Sequence, residues 1–454
     1  MNLLIKGGTV INADGRYVAD VAVGNGKITA TGINIIPEAH TEIVDASGFL
    51  VLPGAVDAHT HFELSFGEFT SADDFYTGTM AAACGGTTTV IDFVTPEAGE
   101  SLIAAYMKRK AQADPKVCID YSLHMGLSEV NDAVIDEMKA VKDAGVPSFK
   151  VFMTYAFKLS DYEFTRTLAQ AKNIGALVMV HAEDHESLET KRAEFIAAGK
   201  TDAWYHYLSR PENVEAKAVK KAIELAETTG ASLYIVHLAC AEGLHMVETC
   251  QSDGFQLYAE TCPQYLNFSN DVYKNPDGRN FVCSPPIKGK ASRDALWWSV
   301  MQETSPYGIN TIATDHCPFD SFIKDRGKDD FTQIPNGVMG VENMYPYMLS
   351  EANKKSTSFE RIVEICSYNP AKIFGLTPAK GIIAPGADAD IVIYDTKKDF
   401  VISQKNMHSN IDYTIWEGVA LKGYPVRTYS RGVLVYENGK FLGSPGYGRY
   451  IERG

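Results

Sequence analysis

The sequence predicts a TIM-type (β/α)8 barrel and a small β-sandwich domain that both chain ends build together. Three observations predict this fold. Short apolar runs alternate with helical stretches between residue 53 and about residue 375, as in a barrel of parallel strands. β-rich runs separated by turn residues occupy both ends of the chain. Histidines and an aspartate follow several central runs, and functional residues of such barrels gather at the carboxyl ends of the strands.

The two ends of the chain share a pattern that differs from the middle. Near the N-terminus, Val18–Val23 runs into the turn signal Gly24–Gly26. Near the C-terminus, Val433–Tyr436 is a similar run, and Asn438-Gly439 after it is a hairpin signal. The predicted domains are the first part of the sandwich, the catalytic barrel and the second part of the sandwich with the tail, at residues 1–52, 53–378 and 379–454.

The first central strand carries a pair of histidines. Leu50–His61 is an apolar run that ends in Asp57-Ala58-His59-Thr60-His61. Because side chains alternate along a strand, His59 and His61 point to the same face, where two imidazoles can bind one divalent ion. Such a pair is weak evidence by itself, and its recurrence on later strands strengthens it.

Three later runs also end in a residue type that binds metals. Helical stretches separate them, such as Glu212–Thr229, which ends at Gly230. The carboxyl ends of parallel barrel strands meet at one face, so we expect these residues to join the histidine pair. The runs and their last residues are Ala176–Val180 with His181, Leu233–Val236 with His237, and Ile309–Thr314 with Asp315.

A lysine lies inside another apolar strand, Pro147–Met153. An unpaired ammonium is expensive to bury, so Lys150 needs a partner or a modification. One explanation is an ion pair with a neighbouring carboxylate. The other is carboxylation by carbon dioxide, because burial and two cations lower the amine pKa and the carbamate anion can bridge two metals. The second explanation completes a two-metal site of nitrogen and oxygen ligands suited to zinc.

Together these segments resemble the dihydropyrimidinase/hydantoinase family of the amidohydrolase superfamily, in order and over nearly the whole chain. The resemblance implies a more buried metal bound by His59 and His61, a second metal bound by His181 and His237, carboxylated Lys150 as the bridge, and Asp315 as ligand and proton shuttle. The segments that carry the resemblance are Asp57–His61, Lys150–Tyr155, His181–Glu183, Val236-His237, Thr314–Phe319 and Ile334–Gly337.

Three more residues belong to the expected substrate site. Tyr155 follows the Lys150 strand, where a phenol can donate to the oxyanion that forms when a carbonyl is attacked. It also matches the family's stereochemistry-gate tyrosine. Ser284 and Asn336 match positions whose backbone groups hold the cyclic amide in the family, although by chemistry alone both are turn residues.

The loop after His61 departs from the family pattern. It reads Phe62–Phe69, whereas the family carries a Phe-Gly-Gly stretch in a slightly longer loop. The resemblance therefore implies the chemistry but not the preferred substrate. We expect the side chains of Phe62, Leu64 and Phe66 to pack on the substituent of the ring.

The resemblance implies a binuclear metal-dependent cyclic amidohydrolase that opens hydantoin or dihydropyrimidine rings to N-carbamoyl amino acids. An allantoinase-like cyclic amidase stays open as an alternative, although Tyr155 matches the dihydropyrimidinase type. Dihydroorotase is disfavoured, because Phe62 and Glu63 fill the stretch where an arginine would hold the substrate carboxylate. A non-catalytic scaffold relative would have lost metal ligands, and all six are present here.

Composition excludes some partners. The net charge is −15 without a cluster of Lys or Arg, which disfavours nucleic acid and anionic membranes and leaves a small neutral cyclic amide as the expected substrate. The eight cysteines form no CxxC pair, and no apolar run is long enough to span a bilayer, so we expect a cytoplasmic protein. The resemblance further implies a homotetramer that forms through barrel helices and C-terminal tails.

Overall fold

A nine-stranded sheet contains the N-terminal segment of the chain. The computed structural model describes residues 1–302, 305–355 and 357–454 and, of residue 66, the backbone. β2 pairs antiparallel with β1 and β3, whereas β4 and β5 pair parallel with β1. The N-terminal strands are β1 (Leu3–Asn12), β2 (Gly15–Gly24), β3 (Lys27–Gly32), β4 (Glu42–Asp45) and β5 (Leu50–Pro53).

Eight parallel strands form the central sheet, and their order in the sheet follows their order in the chain. A parallel bridge between Thr60 and His316 brings the first and last strands together, so the sheet curls into the predicted, nearly closed barrel. A hairpin of β7 (Ser65–Phe66) and β8 (Phe69–Thr70) follows the first barrel strand. The barrel strands are β6 (Ala55–Thr60), β9 (Thr87–Val94), β10 (Asp120–Gly126), β11 (Ser148–Phe152), β12 (Leu177–His181), β13 (Leu233–Ile235), β14 (Leu257–Thr261) and β15 (Thr311–Ile312).

Helices connect the barrel strands, and their ends follow from local sequence. In α4, Ser160 and Glu163 form a capping box, and Gly175 ends the helix in the left-handed conformation. None of the described helices is long and apolar enough to cross a membrane. The helices are α1 (Phe75–Cys84), α2 (Leu102–Ala113), α3 (Asp132–Asp143), α4 (Asp161–Ile174), α5 (His185–Ala197), α6 (Ala203–Ser209), α7 (Glu212–Thr229), α8 (Ala241–Ser252), α9 (Pro263–Asn267), α10 (Lys290–Val300), α11 (Ser321–Lys324), α12 (Met344–Lys355), α13 (Phe359–Val363) and α14 (Asn369–Ile373).

The C-terminal segment returns to the N-terminal sheet. β16 pairs antiparallel with β5, so both chain ends share one hydrogen-bonded sheet as predicted. Lys380 ties this region to the barrel, because its buried Nζ lies 2.6 Å from Asp120 and 2.7 Å from Asp390. The domain boundaries after residues 52 and 378 stay predictions. The returning strands are β16 (Ile391–Val401), β17 (Ala420–Ser430), β18 (Val433–Glu437) and β19 (Lys440–Phe441).

Candidate active site

The predicted metal-binding residues converge at the carboxyl end of the barrel. β6 contains His59 and ends just before His61, β12 ends at His181, and His237 and Asp315 follow β13 and β15. Four of the six, His59, Lys150, His181 and His237, are at most 3% exposed. All six line one cavity, together with Tyr155, Ser284 and Asn336. The structure therefore brings the predicted site residues together in one place, while their roles stay predictions.

The first pair of histidines meets Asp315. Nε2 of His61 lies 3.1 Å from Oδ1 of Asp315, and Nε2 of His59 lies 3.2 Å from the same oxygen. Two ligand atoms bound tetrahedrally at about 2.1 Å from zinc are about 3.4 Å apart, so these separations suit one shared ion. One ligand atom from each of the three residues lies within 4.8 Å of the other two, so the three residues form a candidate metal site.

The second pair consists of His181 and His237. Nδ1 of His181 lies 3.0 Å from Nε2 of His237, again a separation that suits two ligands of one ion. The rings of His59 and His237 are 5.5 Å apart, so the two histidine pairs are neighbours. Two adjacent groups of nitrogen and oxygen donors are the arrangement that a two-metal site needs.

Burial disfavours the protonated form of three of these imidazoles, and the neutral imidazole is the form that binds a metal. It lowers the pKa of His59 and of His237 well below the ordinary value, and it lowers the pKa of His181 as well. The positive charge of Lys150 adds to the shift of all three. Burial raises the pKa of Asp315, but His59 and His61 outweigh this effect, so the pKa lies below its usual value and the carboxylate is ionised.

Lys150 forms no salt bridge with the described side chains, although the nearby charges of Asp315 and Glu260 act to raise its pKa against the effect of burial. Its side chain is 2% exposed in β11, and its Nζ lies 5.3 Å from the centre of the Phe93 ring and 5.4 Å from that of Phe152. Burial lowers the pKa of Lys150 to about 8. Of the two explanations for this lysine, the ion pair is therefore absent from the described part of the chain, and the amine is one that loses its proton easily.

Glu260 is a functional residue that the sequence reasoning missed. This fully buried residue of β14 accepts hydrogen bonds from Nδ1 of His59 at 2.7 Å and from the backbone N–H of His237 at 3.0 Å. It therefore orients one ligand of each pair. The available signal was the same as for Lys150, a charged residue inside an apolar strand.

Glu183 plays the corresponding part for the second pair. Its Oε2 lies 2.8 Å from Nε2 of His181, which leaves Nδ1 to face His237. Arg210 donates to the same oxygen at 2.5 Å. Burial alone would raise the pKa of Glu183, but the Arg210 guanidinium outweighs it and holds the pKa at about 2. A carboxylate behind a ligand histidine fixes both its tautomer and its orientation.

A cavity of about 1120 Å³ opens from the metal-binding residues. Tyr155 lies on one wall, with its ring 5.2 Å from that of His181 and the Arg210 guanidinium 5.9 Å from its centre. Ser284 and Asn336 line the cavity as well. All three predicted substrate-site residues thus face one space beside the metal-binding groups.

The backbone is strained at three residues that line this cavity. Tyr155, His237 and Asp315 have φ angles of 75°, 38° and 52°, in the left-handed region that side chains other than glycine rarely adopt. Such conformations cost free energy and persist where the surrounding structure enforces them, most often in functional sites. Strain at three cavity residues agrees with a site shaped for chemistry.

The loop after His61 corrects one prediction. Leu64 lines the cavity as expected, but Phe62 does not; it is fully buried and packs edge-to-face on Phe75 of α1 with the ring centres 5.8 Å apart. The reason is a turn of the chain: Asp92 accepts the N–H of Phe62 at 2.9 Å and pairs with Arg109, which donates to the Phe62 carbonyl. The side chain of Phe66 lies outside the described part of the structure.

His124 and His316 are core histidines with satisfied ring nitrogens. His124 lies 2.6 Å from the Ser148 hydroxyl and 3.0 Å from the Ala58 carbonyl, beneath the cavity. His316 lies 2.9 Å from Asp73 and accepts the N–H of Gly340 at 3.1 Å. Neither ring is available to a metal.

Comparison with known proteins decides the family. A family model described as the Amidohydrolase family matches residues 50–435. This chain belongs to the amidohydrolase family. D-phenylhydantoinase of Escherichia coli strain K12 is 41% identical to this amidohydrolase over 457 residues, which cover 100% of this chain and 98% of that protein.

Solved structures agree with the sequence comparison. D-hydantoinase from Bacillus sp. AR9 has a TM-score of 0.96 and 39% identity, and dihydropyrimidinase from Brevibacillus agri NCHU1002 has the same values; each match covers 100% of this chain and 99% of the other. L-hydantoinase (dihydropyrimidinase) from Arthrobacter aurescens has a TM-score of 0.92 and 28% identity over the full length of both chains. The predicted family and the predicted fold are thereby confirmed.

Proposed function

We propose that this amidohydrolase opens hydantoin or dihydropyrimidine rings and releases N-carbamoyl amino acids. Its family and its full-length relatives make the chain a cyclic amide hydrolase. One observation carries the proposal for this particular site: two histidine pairs, Asp315 and an unpaired Lys150 face a single cavity at the carboxyl end of the barrel. The proposal also assigns the residues and the metals that perform the reaction.

The donor set suits two divalent ions. His59, His61 and Asp315 would hold one ion and His181 and His237 the other, because neutral imidazoles and carboxylates are common ligands of zinc. Two bound ions supply a water of lowered pKa and a polarised carbonyl group. Glu260 and Glu183 keep the rings of His59 and His181 oriented for these contacts.

We assign carboxylation to Lys150. The neutral amine attacks the carbon of carbon dioxide, a nitrogen–carbon bond forms, and the amine proton leaves to solvent, so the product is a carbamate anion. The buried Nζ, the pKa of about 8 and the lack of a salt bridge among the described residues all favour this reaction. The anion would bridge the two ions and neutralise part of their charge.

Asp315 moves the proton and Tyr155 stabilises the developing charge. When water adds to the ring carbonyl, Asp315 accepts a proton and then delivers it to the nitrogen of the breaking carbon–nitrogen bond. Burial raises the pKa of Tyr155, so the phenol stays protonated and can donate to the oxyanion of the tetrahedral intermediate. Backbone groups around Ser284 and Asn336 would hold the ring.

The cavity fits a ring with an apolar substituent. Its outer wall contains several aromatic and aliphatic side chains, and aromatic groups recognise aromatic rings through stacked and edge-to-face contacts. Because the D-phenylhydantoinase and D-hydantoinase relatives are more similar to this chain than the L-hydantoinase, we expect D-configured 5-aryl hydantoins to be preferred. The apolar side chains are Leu64, Phe69, Phe152, Phe157, Phe319 and Phe331.

The test is a substrate panel on the zinc-loaded protein. Hydantoin, both enantiomers of 5-phenylhydantoin, dihydrouracil and allantoin are incubated separately, and release of the carbamoyl product is followed. We expect the D-configured aryl hydantoin to have the highest kcat/KM. Turnover of allantoin alone would favour the allantoinase-like alternative, and a purified protein that binds no metal and opens no ring would favour the scaffold alternative.

Zinc, a homotetramer and a cytoplasmic location complete the proposal. The nitrogen-rich donor set supports zinc. The free and buried state of all eight cysteines agrees with a reducing compartment. Elemental analysis of the protein purified without added metal tests the first point, and light scattering that reports a monomer at micromolar concentration would contradict the second.

A further inference from the structure

A buried lysine outside the metal cluster joins the two loops that carry Ser284 and Asn336. The side chain of Lys324, at the end of α11, is completely buried. Its Nζ donates to the backbone carbonyl groups of Val282 at 2.8 Å, Pro335 at 2.8 Å and Gly337 at 2.7 Å. Val282 stands two residues before Ser284, and Pro335 and Gly337 flank Asn336. One nitrogen therefore fixes the backbone of both loops.

The three carbonyl groups use every donor that an ammonium has. Burial lowers the pKa of Lys324 to about 7, and a neutral amine would keep only two hydrogens for three acceptors. The loops also contact each other, because the N–H of Gly337 donates to the carbonyl of Val282 at 3.0 Å. The Val282 carbonyl thus accepts from both Lys324 and the opposite loop.

The loops are pressed against the strand end that carries Asp315. Gly337 has a φ of +150°, and a Cβ atom at this position would lie 2.2 Å from the carbonyl oxygen of Cys317. Cys317 follows Asp315 by two residues and lines the same cavity. A shift of either loop would therefore change its distance from the proposed proton shuttle.

We propose that Lys324 is a positioning residue that sets the separation of the two loops and hence the width of the slot that receives the ring. This inference rests on the proposed cyclic amidase function. Ser284, Pro335, Asn336 and Gly337 line the cavity, whereas Lys324 is not among its described lining residues. Lys324 therefore acts on the substrate through the loops and does not touch it.

A lysine that loses its proton near neutral pH can also be a general acid or base. The geometry excludes this role for Lys324. Each N–H is directed at a backbone carbonyl, and the side chain lies behind the loops. The proposed role predicts a defect in substrate binding, whereas a general acid or base would affect the catalytic step.

The test compares three variants of the zinc-loaded full-length protein. Lys324→Met removes all three donors at similar length, and Lys324→Gln supplies a shorter group with two N–H donors. Arg361→Gln is the matched control, because Arg361 is another buried cation that donates to backbone carbonyls, those of Val300 at 3.0 Å and Ile309 at 3.1 Å. Neither Val300 nor Ile309 is among the described residues of the cavity wall.

We expect Lys324→Met to raise KM for hydantoin about tenfold or more, while kcat changes by less than about threefold and zinc content is unchanged. Lys324→Gln should raise KM by less. Arg361→Gln should lower the melting temperature and leave KM within about twofold of the wild-type value. A merely structural role for Lys324 would make it behave like the control.

An unchanged KM in Lys324→Met, or the same rise in Arg361→Gln, would overturn the inference. If Lys324→Met does not fold, Lys324→Gln decides by the same criterion. A wild-type protein that binds and opens none of the rings would overturn the proposed function and this inference with it. If the wild-type protein opens the ring and Lys324→Met has a normal KM, the inference alone is overturned.

Discussion

Glu260→Gln should weaken zinc binding about tenfold, because Glu260 holds the ring of His59. Oε1 of Glu260 accepts from Nδ1 of His59 at 2.7 Å and from the N–H of His237 at 3.0 Å, and Oε2 accepts from Tyr234 at 2.9 Å. A glutamine can keep its oxygen at the first position and donate from its amide to the Tyr234 hydroxyl, whose own hydrogen can then turn to Thr311. The geometry survives, and only the charge is lost.

The expected loss of zinc affinity follows from the lost charge of Glu260. A hydrogen bond to an ionised group contributes about 1.5 to 3 kcal/mol, and a neutral one about 0.5 to 1.5 kcal/mol. The loss is therefore about 1 kcal/mol, which corresponds to roughly five- to tenfold in affinity. Glu260→Leu also leaves the N–H groups of His59 and His237 without an acceptor, so its affinity should fall by about a hundredfold or more.

The assay is a competition titration of the metal-free protein against a zinc-binding chromophore. Glu215→Gln is the control, because Glu215 is a buried carboxylate that accepts the N–H of Ala239 at 2.7 Å and contacts no metal-binding histidine in the described structure. A Glu260→Gln protein that binds zinc like the wild type would refute the reasoning. Equal loss in Glu215→Gln would show that the effect comes from general destabilisation.

The Glu260→Gln variant also tests how zinc affinity depends on pH. Burial raises the pKa of Glu260 to about 8 in the metal-free protein, so protonation below this pH removes the negative charge that strengthens its hydrogen bond to His59. Apparent zinc affinity should therefore rise with pH up to about 8 and level off above it. Lys150, whose pKa is also about 8, adds a slope of the same sign in both proteins. Because Glu260 and Lys150 shift each other's pKa, the change of slope in Glu260→Gln reports on the coupled pair.

Further substitutions separate the proposed roles of the other residues. Lys150→Ala and Lys150→Arg should lose nearly all activity and most of the second metal, because only a primary amine forms a carbamate; a Lys150→Arg protein with two metals and normal turnover would exclude carboxylation. Asp315→Asn should lower kcat by about two orders of magnitude or more, and a variant with two metals and the parental rate would assign the proton shuttle elsewhere. Tyr155→Phe should lower kcat about a hundredfold on every substrate. Leu64→Ala should change the kcat/KM ratio between small and bulky 5-substituted hydantoins about tenfold with metal content intact, and uniform loss across the series would contradict its place on the substituent wall.

The predicted metal-binding residues could be found in the sequence because each lies in a barrel strand or shortly after one. Alternation within β6 directs His59 and His61 to one face, and the parallel order of the strands brings His181, His237 and Asp315 to the same end of the barrel. Side-chain alternation along a strand and the shared end of parallel strands are sufficient to predict where such residues lie. The proposed roles of these side chains then rest on their geometry and on the family.

The residues that support the site depend on contacts that no local rule supplies. Two helices, α5 and α6, separate Glu183 from Arg210, and Glu260 is far along the chain from His59. Phe62 was predicted wrongly because the alternation of β6 does not continue past His61, where Asp92 and Arg109 turn the backbone. Side chains of loops and partners of buried charges thus need the tertiary structure.

Three buried lysines show why the sequence left two explanations open for Lys150. Lys380 lies within 3.0 Å of three carboxylates, which raise its pKa although burial opposes them. Lys324 donates to three carbonyl groups. In sequence Lys150 and Lys380 lie among apolar or small residues, whereas Asp325 and Arg326 follow Lys324. These neighbours do not show which partner each buried lysine has.

Lys150 differs from both, because the described structure gives its Nζ aromatic neighbours and no salt bridge. A buried ammonium that is not stabilised in either of the first two ways favours the neutral amine, and a neutral primary amine is the form that reacts with carbon dioxide. Burial of a lysine therefore says nothing about function until its partners are known. For Lys150 the missing partner, together with two histidine pairs in the same cavity, is the argument for a carbamate.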